Sequence, residues 1–509
     1  FEFQDPDSFV LFLGFFFLTL IIIGNILIGI STFFQVYASQ TVTKNVAYKL
    51  INHYYNDDYS LLSEKTSIEK RSNVSISDGL DNKFFFPIVE ILPKILITSV
   101  FIFISVFFFL KETTFMILSI IIIFYAFNII IKKKLEQTGI ELRKANYDIE
   151  KLIFESLQIL KIVILHKVSG FFLKDLKNIH YRQIKYNSYS HSLSQIPKII
   201  LETLLISFII IFSLILHNNN SSSLIPTLSF LGIFGYKIFP SISHIYSYYT
   251  LMKSSINSYD FLYADINQII EAKNKQIIKK INLLPLKKLE LKINSFSFNK
   301  DNILFEKQNI NFEVNTLNIV SGETGCGKST IINLLMGFIL SKDVDVIIND
   351  KILDNKEFDS LHDLISYVPQ KFELIDDTIK NNITFGEKIS DSDFNNLIDS
   401  CCLGEFISKL PDKEETKIGE NYDKISGGQA QRICIARALF RDPKILILDE
   451  ATGQINTEIE KKILKNLSVK KITIILISHK TNQFEGFRKI NHISIKDGKI
   501  YPSNQAELQ

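Results

Sequence analysis

A glycine-rich stretch in the second half of the chain decides its fold: Gly322-Glu323-Thr324-Gly325-Cys326-Gly327-Lys328-Ser329-Thr330. It follows the apolar segment 317–320 and precedes a helix-like segment, 330–335, which is the strand–loop–helix context of a phosphate-binding P-loop. Its glycines let backbone N–H groups close around phosphate oxygens, and the start of the helix adds positive potential. Lys328 is expected to reach the β- and γ-phosphates of a nucleotide, and Ser329 to ligate Mg²⁺.

A second chemical element is the apolar segment 444–448, which ends in Asp449 and Glu450. Acidic side chains at the exit of a buried strand need a function, and a P-loop elsewhere in the chain supplies one. Asp449 is predicted to hold the Mg²⁺ shell, and Glu450 to polarise the attacking water, because phosphoryl transfer mainly requires a placed nucleophile and neutralised charge. The two elements together predict a nucleotide-hydrolysing site.

Between these elements stands Ser426-Gly427-Gly428-Gln429, and with this signature the sequence resembles the ATP-binding-cassette (ABC) family. Three more motifs match in order: Y-V-P-Q of the Q-loop, I-S-H of the switch histidine, and S-F-S-F with the aromatic that stacks on adenine. The resemblance implies ATP and Mg²⁺ as cofactors. The implied sets are catalytic Glu450, His479 and Gln370; a Mg²⁺ shell of Ser329, Gln370 and Asp449; and ATP-binding Phe298, 322–330 and 426–429.

The resemblance also implies how an ATP site is completed. In this family ATP lies between the P-loop of one cassette and the signature of another, so one cassette cannot complete a site. This chain carries every motif once and Glu450 is intact. A second copy of the chain would therefore give two equivalent sites, and a homodimer is expected.

Composition separates the function classes. The 509 residues include 57 basic and 54 acidic side chains, a net charge of +3, which is too small for a nucleic-acid partner. An apolar content of 46%, with 42 Phe, excludes disorder and indicates a membrane protein. The cysteines have no paired spacing and support neither a disulfide framework nor a zinc site; they are Cys326, Cys401, Cys402 and Cys434.

The first half of the chain contains five apolar runs of bilayer-crossing length. They are 9–43, 84–110, 113–131, 197–216 and 224–252. The positive-inside rule makes the Lys-rich connections after Lys44 and at 132–134 cytoplasmic. An odd number of spans that ends in the cytoplasm places Phe1 outside, so we expect a further helix before it. The predicted location is a bacterial-type inner membrane, multi-pass, with a cytoplasmic cassette.

The predicted fold class is a multidomain chain with an all-α polytopic membrane domain followed by an α/β P-loop NTPase cassette. The predicted boundaries are 1–270 for the membrane domain, 271–288 for a linker and 289–509 for the cassette. The segment 416–420 resembles the T-x-V-G-E element of ABC exporters, whose fold has six spans per subunit. By the same resemblance, 56–62 and 169–172 are candidate coupling turns.

The sequence departs from the family pattern at two places. Gly453-Gln454-Ile455-Asn456 stands where S-A-L-D is usual, and Tyr422 replaces a usual glycine. The missing acid is expected to weaken communication between the two ATP sites. Both carboxylates of the 444–450 segment remain, so hydrolysis is still predicted.

Ionisable residues inside the apolar runs are candidate substrate contacts, because a charge in the membrane is costly. Lys237 lies 13 residues into the last run, about 20 Å along a helix in a core of about 30 Å. Lys198 is also a candidate, although an i,i+4 pair with Glu202 gives it a structural explanation. For Lys237, a substrate contact and a purely structural role both stay open.

The stretches 196–202 and 235–241, with the P-loop cassette, are similar to lipid-linked oligosaccharide flippases. The predicted function is ATP-driven export or flipping of a lipid-linked oligosaccharide or other lipid. Lys237 would accompany the negatively charged pyrophosphate of this substrate across the bilayer. Membrane lipids are further predicted partners. A peptide or multidrug exporter is the alternative. An ATP-gated regulator or channel without pumping, and a nucleic-acid repair or translation ATPase, are more remote.

Overall fold

The computed structural model describes residues 6–56, 66–108, 110–218, 224–275, 281–299, 302–419, 424–478, 489–496 and 498–503. The described helices up to residue 275 form one compact unit, and the described residues from 281 onward form a second. The last helix of the first unit runs to Lys275, five residues beyond the predicted end of the membrane domain.

The first unit is helical, as predicted. Its described helices are α1 (Pro6–Asn56), α2 (Ser67–Asp78), α3 (Phe86–Phe108), α4 (Leu110–Gln158), α5 (Leu160–Leu165), α6 (Ser169–Asn218) and α7 (Leu224–Lys275), with a π-helical turn at Asp81–Phe85. The five predicted apolar runs fall on α1, α3, α4, α6 and α7. Judged on the described side chains, two segments are long and apolar enough to cross a membrane, Leu11–Asn56 and Asp81–Ile104.

Four of these helices are much longer than a bilayer. Helices α1, α4, α6 and α7 have 51, 49, 50 and 52 residues, or about 75 Å each against a hydrocarbon core of about 30 Å. The mixed segment that follows the Lys-rich 132–134 is therefore helical, as expected. It is interrupted at Ile159 and again between α5 and α6, at residues 166–168. The candidate coupling turn 169–172 is therefore the first turn of α6. The other candidate turn begins at the last residue of α1, and its remaining residues lie outside the described ranges.

Close backbone contact holds α4 against α7. A Cβ added to Gly139 would lie 2.0 Å from the backbone oxygen of Ser254, so the helices touch where no side chain intervenes. Toward the C-terminal end of α7, Asp265 is buried and accepts hydrogen bonds from Tyr54 Oη (2.6 Å) and Asn73 Nδ2 (2.9 Å). These bonds join α7 to α1 and α2, and satisfy a carboxylate that burial would otherwise destabilise.

The second unit is an α/β domain whose described strands form two sheets. The strands are β1 (Leu289–Asn299), β2 (Asn302–Phe312), β3 (Leu317–Gly322), β4 (Val344–Ile348), β5 (Lys351–Ile352), β6 (Ile365–Val368), β7 (Ile445–Asp449), β8 (Thr473–Ile477), β9 (Ile490–Lys496) and β10 (Lys499–Ser503). One sheet is antiparallel, in the order β2-β1-β4-β5. The other has the order β10-β9-β3-β8-β7-β6 and is parallel except for β10.

Helices cover this mainly parallel sheet on both faces. The described helices of the unit are α8 (Lys328–Leu335), α9 (Phe358–His362), α10 (Ile379–Thr384), α11 (Asp391–Ser400), α12 (Gly404–Ser408), α13 (Gly427–Phe440) and α14 (Thr457–Ser468). Along β7, Ile445 and Ile447 belong to one buried cluster, and Leu446 and Leu448 to another. Burial on both faces is why 445–448 reads as a continuous apolar run. Polar residues that follow these strands emerge at one edge of the sheet.

Candidate nucleotide site

The P-loop connects β3 to α8, and its backbone requires glycine. Gly325 and Gly327 have φ of 85° and 100°, in the left-handed region that glycine adopts without strain. A Cβ on Gly327 would also lie 2.5 Å from Cζ of the buried Phe305, whereas a Cβ on Gly325 would meet open space. The glycines of the motif therefore fix the path of the loop.

Lys328 begins α8 and is buried. Its Nζ donates hydrogen bonds to the carbonyl oxygens of Gly322 (2.8 Å) and Glu323 (2.9 Å). The ammonium group is thus held against the P-loop, beside the N-terminus of α8. A cation and a helix N-terminus at one place provide the positive potential that a phosphate chain requires.

Asp449 lies at the end of β7, 7% exposed, and faces the P-loop. Its carboxylate accepts hydrogen bonds from Tyr367 Oη (3.1 Å) and from Ser329. Burial raises the pKa of Asp449 above its ordinary value and the charge of Glu450 adds to this, while the two hydrogen bonds and the Lys328 charge act in the opposite direction. Tyr367 is not among the predicted site residues.

Ser329, Asp449 and Gln370 offer hydroxyl, carboxylate and amide oxygens, which are the donor types that Mg²⁺ prefers. The hydrogen bond between Ser329 and Asp449 already places two of these groups side by side. The residues therefore fit the predicted metal shell. A bound Mg²⁺ would supply charge neutralisation to the phosphates.

Glu450 follows Asp449 with a φ of 48°, a strained conformation for a residue other than glycine. Its N–H donates to the carbonyl of Ile477 on β8 (3.2 Å), and its carboxylate accepts a hydrogen bond from Gln370 Nε2 (2.5 Å). The structure thus joins two predicted catalytic residues that lie 80 positions apart. The arrangement orients a carboxylate that can accept a proton from water.

The signature 426–429 caps the N-terminus of α13. Ser426 Oγ accepts from the N–H of Gln429 (3.3 Å), and Gln429 Oε1 accepts from the N–H of Ser426 (2.7 Å), a reciprocal capping box. Ser426 remains exposed. No described hydrogen bond joins the signature to the P-loop of the same chain.

Two further residues of the predicted nucleotide site are Phe298 and His479. Phe298 stands on β1 with its side chain 66% exposed, in edge contact with Phe296 at 5.1 Å between ring centroids. Its ring is therefore available for stacking. His479 lies outside the described residues; the N–H of the preceding Ser478 donates to Val320 of β3 (3.2 Å).

The predicted substrate contacts lie on two helices of the first unit. Lys237 is on α7, and its side chain lies outside the described part of the structure. Lys198 on α6 is exposed, as is Glu202, and their pairing is absent from the described ion pairs. The suggested i,i+4 ion pair between Lys198 and Glu202 is thus not formed among the described side chains.

The predicted site residues do not include a charged pair inside the run 84–110. Glu90 and Lys94, both on α3, lie 3.8 Å apart (Oε2 to Nζ). They act electrostatically on His244 of α7, as does Lys198, and the His244 ring stacks on Tyr248 at 6.1 Å. The i,i+4 spacing of opposite charges is the signal that could have revealed this group.

Comparisons with known proteins agree with this architecture. Residues 306–453 match the family model for ABC transporters. A putative export ATP-binding/permease protein of Rickettsia typhi is 38% identical over 219 residues, 42% of this chain and 37% of the relative. An ATP-dependent lipid A-core flippase of Desulfotalea psychrophila is 34% identical over 251 residues, 48% of this chain and 43% of the relative. These matches thus span less than half the length of either relative.

A solved structure of a bacterial Atm1-family ABC exporter with ATP bound has the same fold. The TM-score is 0.83 at 18% sequence identity, over 97% of this chain and 88% of that one. The resemblance and fold class inferred from the motifs are confirmed. The chain therefore carries an ABC transporter domain at residues 306–453 and has the fold of an ABC exporter.

Proposed function

We propose that two copies of this chain form an ATP-driven exporter that flips an amphipathic substrate across a bacterial-type inner membrane. The substrate class is a lipid-linked oligosaccharide or another lipid. The observation that carries the proposal is the hydrogen-bonded site at the ends of β3, β6 and β7. There Ser329 bonds to Asp449, and Gln370 bonds to Glu450.

Each of these residues has a defined part in hydrolysis. Lys328 compensates negative charge on the β- and γ-phosphates. Glu450 accepts a proton as water attacks the γ-phosphorus and the bond to the bridging oxygen breaks. The Gln370 amide holds that carboxylate in place, so the base is oriented before reaction begins.

The dimer is supported by the position of the signature. Ser426 is exposed at the N-terminus of α13, and no described hydrogen bond joins it to its own P-loop. A helix N-terminus is a site for anions. In the proposed homodimer it meets the γ-phosphate of the nucleotide held by the partner copy.

A lipid substrate is supported by two observations. The relatives from Desulfotalea psychrophila and Photobacterium profundum are named ATP-dependent lipid A-core flippases, the latter 38% identical over 189 residues. In this chain, Lys198 and Lys94, the latter paired with Glu90, act electrostatically on one region of the first unit, around His244. We assign to these cations, together with Lys237, the anionic head group of the substrate.

The proposal is tested with the purified chain in proteoliposomes that contain a fluorescent lipid-linked oligosaccharide. ATP with Mg²⁺ should drive loss of the label from one leaflet, and E450Q should bind ATP without turnover. Substrate-stimulated hydrolysis with peptides or drugs, but not with the glycolipid, would favour the alternative exporter class. Hydrolysis that E450Q leaves unchanged would contradict the assignment of the base.

A further inference from the structure

The segment that follows the catalytic carboxylate is tightly built. The N–H of Gly453 donates to Glu450 O (3.1 Å), and the N–H of Ile455 donates to Thr452 O (3.1 Å). Ala451, Thr452 and Ile455 are buried. Two successive turns with buried side chains therefore fix the position of Gln454 relative to Glu450.

Gln454 lies directly on the first turn of α13. An ideal Cβ on Gly427 would be 1.8 Å from Gln454 Oε1, and one on Gly428 would be 2.8 Å from the backbone oxygen of Gln454. The Gln454 N–H donates to Oε1 of the buried Gln431 (3.0 Å), which holds this backbone against the helix. Side chain and backbone of one residue thus contact both signature glycines.

We propose that Gln454 is a positioning residue, which holds the signature in register with Glu450 of the same copy; this inference rests on the proposed function. The signature must contact the phosphate of a nucleotide held by the partner copy. Its binding is stronger if its position is already fixed before the two copies meet. The usual alanine at this position lacks the atoms that reach Gly427. In this chain the longer side chain supplies that support.

Asn456, which stands where the family usually has Asp, keeps the helix-capping role of that position. Asn456 caps α14, because its Oδ1 accepts a hydrogen bond from the N–H of Glu458 (2.9 Å). Asn and Asp are about equally good at this position of a helix. The connection between Glu450 and the signature therefore runs through Gln454 and does not require the missing acid.

The test compares Q454A with Q454M in the full-length protein reconstituted in lipid. Methionine keeps the length of the side chain, whereas alanine removes the atoms next to Gly427. Q454A should raise the half-saturating ATP concentration about fivefold, the ratio that corresponds to about 1 kcal/mol, with kcat within about twofold. Q454M should stay near the wild type. Wild-type behaviour of Q454A, or equal damage in Q454M, would overturn the proposal.

A second test does not depend on hydrolysis and so separates this inference from the proposed function. Thermal unfolding without nucleotide should show that G428A costs more stability than G427A. The methyl group of G428A meets the Gln454 backbone, whereas the end of the Gln454 side chain can turn away from the methyl group of G427A. Equal losses in the two variants would refute the close contact of Gln454 with the signature. A wild-type protein without ATPase activity would instead refute the proposed function.

Discussion

At the scale of single residues, the site is a small set of hydrogen bonds between groups that are distant in sequence. The P-loop and the acidic end of the 444–450 segment predicted Ser329, Asp449 and Glu450, and the resemblance to the ABC family implied Gln370. Their pairing follows from the parallel strands, whose ends bring the residues after β3, β6 and β7 to one edge. Tyr367 escaped notice because its role depends on the register of β6 beside β7, where it pairs with Ile447.

Tyr367 tests the importance of that contact. Y367F removes a hydrogen bond to Asp449 and leaves the ring, so the Mg²⁺ concentration for half-maximal hydrolysis should rise about three- to tenfold. The measurement is a Mg²⁺ titration of ATPase activity. The exposed Tyr501, on the edge strand β10, is the matched control, and Y501F should behave as the wild type. An unchanged titration in Y367F would show that Asp449 does not need its partner.

The same variant should move the pH profile. A hydrogen bond to a carboxylate stabilises its charged form, so the Tyr367 bond lowers a pKa that burial raises. Its removal raises the pKa of Asp449 further, and protonation then begins at a higher pH. The acid limb of kcat/KM should therefore shift to higher pH in Y367F, whereas a shift to lower pH would contradict this assignment of causes.

The P-loop glycines allow a comparison in which backbone strain is matched. Both G325A and G327A place alanine at positive φ, but only the methyl group of G327A collides with Phe305. G327A should therefore lower the free energy of unfolding by about 1 to 3 kcal/mol more than G325A does. Thermal or urea unfolding measures this difference. Equal losses would mean that conformation alone explains the glycine at 327.

At the scale of secondary structure elements, apolar runs predicted the helices and buried strands that they fill. The turn predicted at 169–172 lies instead at 166–168, between α5 and α6. It contains Lys167 with φ of 54°, and no proline or glycine marks this turn before Gly170. The antiparallel sheet was not predicted, although the buried residues Leu289, Leu291 and Ile293 alternate along β1.

The contact between α4 and α7 can be tested at a single glycine. G139A would place a methyl group 2.0 Å from a backbone oxygen of α7, so one helix must move. We expect a loss of about 1 to 3 kcal/mol and a lower melting temperature in detergent or nanodiscs. G170A, on α6, meets nothing within 4 Å and serves as the control. Equal melting temperatures for the two variants would refute the close approach.

At the scale of the whole molecule, the sequence predicted an α-helical membrane half and an α/β cassette, and the described structure has two such units. The charged group around His244 was not predicted. Glu90 and Lys94 of α3 lie within a strongly apolar run, so they do not stand out in a hydropathy profile. Their proximity to Lys198 of α6 and His244 of α7 depends on how the helices pack. Substrate identity depends on such packing, whereas ATP chemistry depends on local motifs.

The central claim is that two identical chains enclose each nucleotide. It is tested most directly by an experimental structure of the purified E450Q chain in lipid nanodiscs with ATP and Mg²⁺. We expect a symmetric dimer in which each triphosphate contacts Lys328 of one copy and Ser426 of the other. A nucleotide-bound structure in which both groups on a triphosphate come from one chain, or in which Ser426 contacts no nucleotide, would contradict it.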